Sequence, residues 1–117
     1  MLAATYANLG SAYSDLGDYA KSRASFEQAI RLNPNQASAW QGMALVCEKQ
    51  GNLEEAIGYF AHLVELQPSG QGYLQLAKAL AQANRRAEAV AAYEQALRME
   101  PNLIELQHAA EELPGQH

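Results

Sequence analysis

Few side chains in this 117-residue chain can do chemistry. They are three histidines, one cysteine and two pairs of adjacent glutamates. A catalytic or metal site needs several such groups converging on one point. His62 stands in mid-chain, and His108 and His117 lie near the end. None has the spacing to a cysteine or carboxylate that a metal site uses. Cys47 follows the apolar run "MALV" and reads as a packed thiol, since a reactive one requires an exposed, electropositive setting. Glu54-Glu55 and Glu111-Glu112 resemble the paired carboxylates of acid-base catalysis. Neighbours on a helix, however, point about 100° apart. Acids such as Glu54 and Glu55 in a first turn favour the helix dipole instead. "GQG" at 70–72 is too short for a phosphate loop and lacks its lysine. The expectation is a protein that is not an enzyme, with no catalytic residue, no metal and no cofactor.

Composition narrows the partners. The formal charge is -5 and the lysines and arginines are scattered, so no basic stripe awaits a phosphate backbone. Nucleic acid is not an expected partner. No apolar run approaches the roughly 20 residues of a membrane-spanning helix, and no signal peptide is visible. Membrane insertion is not expected, and a cytoplasmic location is the default. With 49% apolar residues the chain can build a core. Alanine, leucine, glutamate and glutamine outnumber the β-branched residues, which favours helices.

What must position any functional surface is a repeat. Pro34, Pro68 and Pro101 are spaced 34 and then 33 positions apart, after "AIRLN", "LVELQ" and "ALRME". At the same offsets Tyr6 maps to Trp40 and Tyr73, and Leu9 to Met43 and Leu76. Gly10 maps to Ala44 and Ala77, Phe26 to Phe60 and Tyr93, and Gly17 to Gly51 and Asn84. Tyr6, Leu9, Gly10 and Tyr13 fall at i, i+3, i+4 and i+7, one face of a helix. Gly17, Gly51 and Asn84 are residues that accept positive φ, as the close of a first helix requires. Gly10, Ala44 and Ala77 are small where another helix comes near. Asp18 and Asn52 are placed to cap second helices, which the prolines end. Each unit is therefore a helix, a turn and an antiparallel helix.

This pattern resembles the tetratricopeptide repeat. The residues that carry it are Trp40 or Tyr6, Leu9-Gly10, Tyr13, Gly17, Ala56 or Ala89, Phe26 or Phe60, Ala29 or Ala96, and the closing prolines. Ser22 and Leu63 depart from alanine, and Cys47 from tyrosine. The resemblance implies an all-α, right-handed α-solenoid. Its three helix-turn-helix repeats run over about 3–36, 37–69 and 70–102, and the whole of 1–117 forms one domain. "LIELQHAAEEL" at 103–113 reads as a C-terminal capping helix, since stacked repeats need a polar outer face at the end.

The resemblance also implies a function. First helices of such repeats line an inner groove that takes a peptide or a helix of a partner protein. Here its lining is expected to include Ala7, Asn8 and Ser11, then Gln41, Leu45 and Lys49, then Leu74, Gln75 and Lys78. Ala4, Asp15, Ser38, Glu48, Gln71 and Gln82 flank them. Gly42, with Ala4 and Ala7, is expected to leave room for ligand side chains. The amides can donate to and accept from a peptide backbone, and Leu45 and Leu74 add apolar contact. Ala7, Ser11, Ser38 and Gly42 stand where a carboxylate clamp of the chaperone-binding kind would place cations and an amide, so that device is not expected. The resulting function is a non-catalytic scaffold with a protein or peptide ligand. The alternative is a module that self-associates, or a piece of a longer array, through the outer side of the first helix near Met1, Leu2 and Thr5. The two glycines of "PSGQG" are expected to permit bending between the second and third repeats.

Overall fold

The computed structural model describes residues 2–102. Six helices run in chain order: α1 Leu2–Asp15, α2 Tyr19–Leu32, α3 Ala37–Lys49, α4 Leu53–Leu66, α5 Gly70–Gln82 and α6 Arg86–Met99. There is no strand among the described residues. The capping helix expected over 103–113 lies outside them.

The three hairpins are α1–α2, α3–α4 and α5–α6, and each second helix packs on the next first helix, α2 on α3 and α4 on α5. The three inner turns share one mechanism. Gly17, Gly51 and Asn84 have φ of 81°, 80° and 65°. The amide after each reaches back to the carbonyl five residues earlier, as Asp18 to Tyr13 at 2.9 Å, Asn52 to Cys47 at 2.8 Å and Arg85 to Leu80 at 2.9 Å. These are paired closing bonds of a left-handed cap, so the expected role of all three residues holds. The residue before each proline, Asn33, Gln67 or Glu100, is the C-cap of a second helix. Asp18 caps α2 by accepting from the Lys21 amide at 3.2 Å. Asn52 occupies the matching position but its side chain makes no capping bond.

The missing residue of the third unit comes from a linker. Residues 33–36 join α2 to α3, whereas 67–69 join α4 to α5. Gly70 and Gly72 do not loosen this junction. Both are buried within the first turn of α5. A Cβ at 70 would stand 2.7 Å from the Glu100 side chain, and one at 72 would stand 3.1 Å from Val64. They permit close approach rather than bending, and the Gly70 amide donates to Glu100 Oε1 at 3.2 Å.

Phe26 and Phe60 anchor two apolar clusters. Phe26, Ala29, Ala39, Met43 and Val46 join the first unit to the second. Phe60, Leu63, Val64, Leu76, Ala77 and Leu80 join the second to the third. Ser22, where alanine stands in the other units, is fully buried and donates to the Gly10 carbonyl at 2.6 Å. Burial therefore leaves this hydroxyl satisfied.

Candidate functional site

The inner face is made by α1, α3 and α5, and two concavities open between successive first helices. One, of about 130 Å³, lies between α1 and α3 and is lined by Ser11, Ser14, Asp15, Phe26, Gly42, Leu45 and Lys49. The other, of about 250 Å³, lies between α3 and α5, with Ser38, Gln41, Gln71 and Gln75 at its sides. Gln67 and Ser69 of the linker close its end.

The side chains of this face are partly tied to one another. Gln41 Nε2 donates to Gln75 Oε1 at 3.3 Å, which bridges α3 and α5. Lys49 Nζ donates to Ser14 Oγ at 3.2 Å, which bridges α3 and α1. Asn8, Ser11, Gln41 and Lys49 are exposed, and Leu45, Gln75 and Lys78 are half-buried. Glu48 is half-buried beside them. Its carboxyl is pushed above the ordinary carboxylate value by burial, and the positive charge of Lys78 opposes the push.

Three expectations about the lining need correction. Leu74 is 1% exposed and belongs to the core, so it offers no apolar contact to a ligand. Ala7 is 5% exposed and packs with Phe26. Gly42 leaves no room for a ligand side chain, because the Phe26 ring lies where its Cβ would be. Phe26 itself, expected as a repeat position and not as lining, borders the first concavity with Ser14, and Gln67 and Ser69, also outside the expected lining, border the second. The signal for Phe26 was present: a lone glycine in mid-helix, one residue before the core methionine, implies a ring passing that point.

Of the groups that suggested chemistry, His108, His117, Glu111 and Glu112 lie outside the described residues, and the described ones have other partners. Cys47 is 0% exposed. Burial pushes its thiol upward, more than Arg23 draws it down. Glu54 and Glu55 each meet an arginine from a different repeat: Glu55 Oε2 lies 2.8 Å from Arg23, and Glu54 Oε2 lies 2.9 Å from Arg85. They link neighbouring units, and at such exposure solvent screens both pairs. His62 packs against Trp40, with ring centroids 4.0 Å apart. Trp40 is half-buried and its Nε1 donates to the Pro34 carbonyl at 2.7 Å, so the indole fastens the linker between the first two units. Among the described residues no three His, Cys, Asp or Glu side chains converge as metal ligands, and no helix is long and apolar enough to cross a membrane.

Comparison with known proteins agrees with this architecture. The tetratricopeptide repeat pattern matches residues 8–70, and a second pattern of the same kind matches 70–103. Among curated relatives, a TPR repeat-containing protein of Methanocaldococcus jannaschii is 35% identical over 57 residues, 49% of this chain and 10% of its own length. Anaphase-promoting complex subunit 3 of Schizosaccharomyces pombe is 34% identical over 64 residues, 55% of this chain and 10% of its own. The chain thus spans about a tenth of the length of these relatives. Among solved structures, the first TPR of Spaghetti (RPAP3) bound to the HSP90 peptide SRMEEVD superposes with a TM-score of 0.87 at 19% identity, covering 96% of this chain and 90% of that one. The N-terminal domain of stress-induced protein-1 from C. elegans gives 0.87 at 20% identity, covering 95% and 93%. YrrB, a TPR protein with an unusual peptide-binding site, gives 0.84 at 20% identity, covering 95% and 58%. At these identities the superpositions speak for the fold. With the family pattern running through more than half of its residues in register with the observed hairpins, the chain belongs to the tetratricopeptide repeat family.

Proposed function

We propose that the chain is a non-catalytic scaffold that holds an extended segment of a partner protein along the inner faces of α1, α3 and α5. The observation that carries this reading is the pair of concavities, both opening between successive first helices and separated by α3. A chain lying across them meets the amides of Gln41 and Gln75, and each amide can pair with peptide N–H and C=O groups alike. Half-buried Leu45 offers apolar contact at the first concavity. The family relationship supports the reading, since this fold is in general an interaction module. The Spaghetti domain, of the same fold, holds an HSP90 peptide.

The recognition differs from a carboxylate clamp. Ala7 is buried, the space at Gly42 is taken by Phe26, and Ser11 and Ser38 carry no charge. Lys49 already engages Ser14. Binding then rests on shape and backbone amide bonds, with little demand for a terminal carboxylate on the ligand.

The test begins with peptides selected on the protein from a displayed random library. The double variant Gln41→Ala/Gln75→Ala is expected to weaken a selected peptide by about tenfold, near 1.4 kcal/mol, with helicity unchanged. Amidating the peptide's C-terminus is expected to leave its affinity the same. Unaltered binding by the double variant moves the site elsewhere, and a large loss on amidation restores the clamp.

A further inference from the structure

The outer side of α1 carries an apolar stripe that no described helix covers. Leu2 is 65% exposed, Leu9 40% and Leu16 80%, and Thr5 and Ala12 are exposed between them. At 100° per residue these five positions fall within one quarter of the helix circumference. Leu16 keeps that register because its amide still bonds the Ala12 carbonyl at 3.1 Å. No residue of the stripe is charged, and none of them lines the inner concavities.

The repeat shows what covers such a face. Thr5, Leu9 and Ala12 correspond to Ala39, Met43 and Val46 in α3, and to Gly72, Leu76 and Ala79 in α5. Those six are buried. In α3 the cover is α2, through Phe26 and Ala29. In α5 it is α4, through Phe60 and Val64. Both covering helices share one pattern: a small residue, then phenylalanine four positions on, then apolar residues three and four positions further (Ser22-Phe26-Ala29-Ile30 and Ala56-Phe60-Leu63-Val64).

We propose that the α1 stripe is a docking site for one amphipathic helix of another polypeptide, carrying that same pattern and packing on α1 as α2 packs on α3. A second copy of this chain is a poorer occupant. Its aromatic residues at that position, Phe26, Phe60 and Tyr93, are 2%, 0% and 6% exposed, so each is already spent within its own fold. The site is independent of the inner groove and does not rest on the function proposed for it.

The probe is a synthetic peptide copying residues 52–67, stapled across its polar face because so short a helix is marginal alone. Saturable binding to the intact chain is expected, weakened at least about tenfold by Leu9→Glu, which places a charge at the centre of the stripe. Leu32→Glu, at an exposed leucine of α2, is expected to leave binding unchanged. Circular dichroism must show both variants folded. Leu2→Glu, at a still more exposed site, serves as the second stripe variant should Leu9→Glu unfold. Absence of saturation at millimolar peptide, or equal binding by wild type and the stripe variant, overturns the proposal. Concentration-dependent sedimentation of the wild type that the stripe variant abolishes assigns the face to a second copy and overturns it too.

Discussion

The ring of Phe26, on the second helix of the first repeat, occupies the space that a side chain at position 42 would need on the first helix of the second repeat. The same ring stands 2.9 Å from where a Cβ on Gly10 would lie, so two glycines on successive first helices flank one aromatic. This arrangement both joins the repeats and forms the floor of the concavity between α1 and α3.

Alanine at position 42 should therefore act against its helix propensity. Gly42→Ala gains up to about 1 kcal/mol from the backbone but overpacks the ring, at about 1–3 kcal/mol. Gly58 is the control, since it lies within α4 with nothing within 4 Å of its would-be Cβ. Gly58→Ala is expected to stabilise by about 0.5–1 kcal/mol. Chemical denaturation of both variants reads the difference, and a stabilised Gly42→Ala contradicts the packing described.

The caps predict a second contrast. Gly17 and Gly51 combine positive φ with open space around the Cβ position. Alanine there costs backbone strain alone, about 1–2 kcal/mol. Asn84 already bears the same conformation with a side chain, so Asn84→Ala should cost less than either glycine replacement. Thermal melts of the three single variants check the order.

Glu48 gives a pH dependence of definite sign. Its carboxyl is raised by burial, so the fold favours the protonated form. Below the ordinary carboxylate value both folded and unfolded chains hold the proton and the group is neutral to stability. As pH rises through that value toward the raised one, the unfolded chain ionises first and stability falls. Glu48→Gln should then be more stable than wild type at pH 7 and equal to it below about pH 4. Glu88, held below the ordinary value by its bond to Arg85, acts in the opposite sense in both proteins and cancels from the comparison. Equal stability of the pair at neutral pH would refute the assignment.

Cys47 is expected to be inert while the protein is folded. The thiol is enclosed and its ionisation is disfavoured by burial. Alkylation should proceed at least about a hundredfold faster in denaturant than in buffer, because reaction requires opening of the core. Rapid labelling of the native protein would place the thiol at a surface.

The repeat was legible because its markers act locally. Prolines stop second helices, Gly17, Gly51 and Asn84 turn the chain, and the apolar period sets which side of each helix is buried. Each effect operates within a few residues, and recurrence in threes removed ambiguity about register. Asn52 holds the N-cap position as expected, but occupying that position does not ensure that the side chain turns toward the open amides.

The amino-acid sequence by itself determined the six helices, their hairpin pairing and the side of each first helix that faces inward. Only the tertiary structure decided what that inward side presents. Gln41 and Leu74 hold the same place in the repeat, yet one is exposed and the other lies in the core. Gly42 reads as open space and is filled by a ring 16 positions away, and the adjacent Glu54 and Glu55 serve two arginines in different repeats. The reason is physical: helix formation follows from interactions within a turn or two, whereas exposure depends on which neighbours arrive from other repeats.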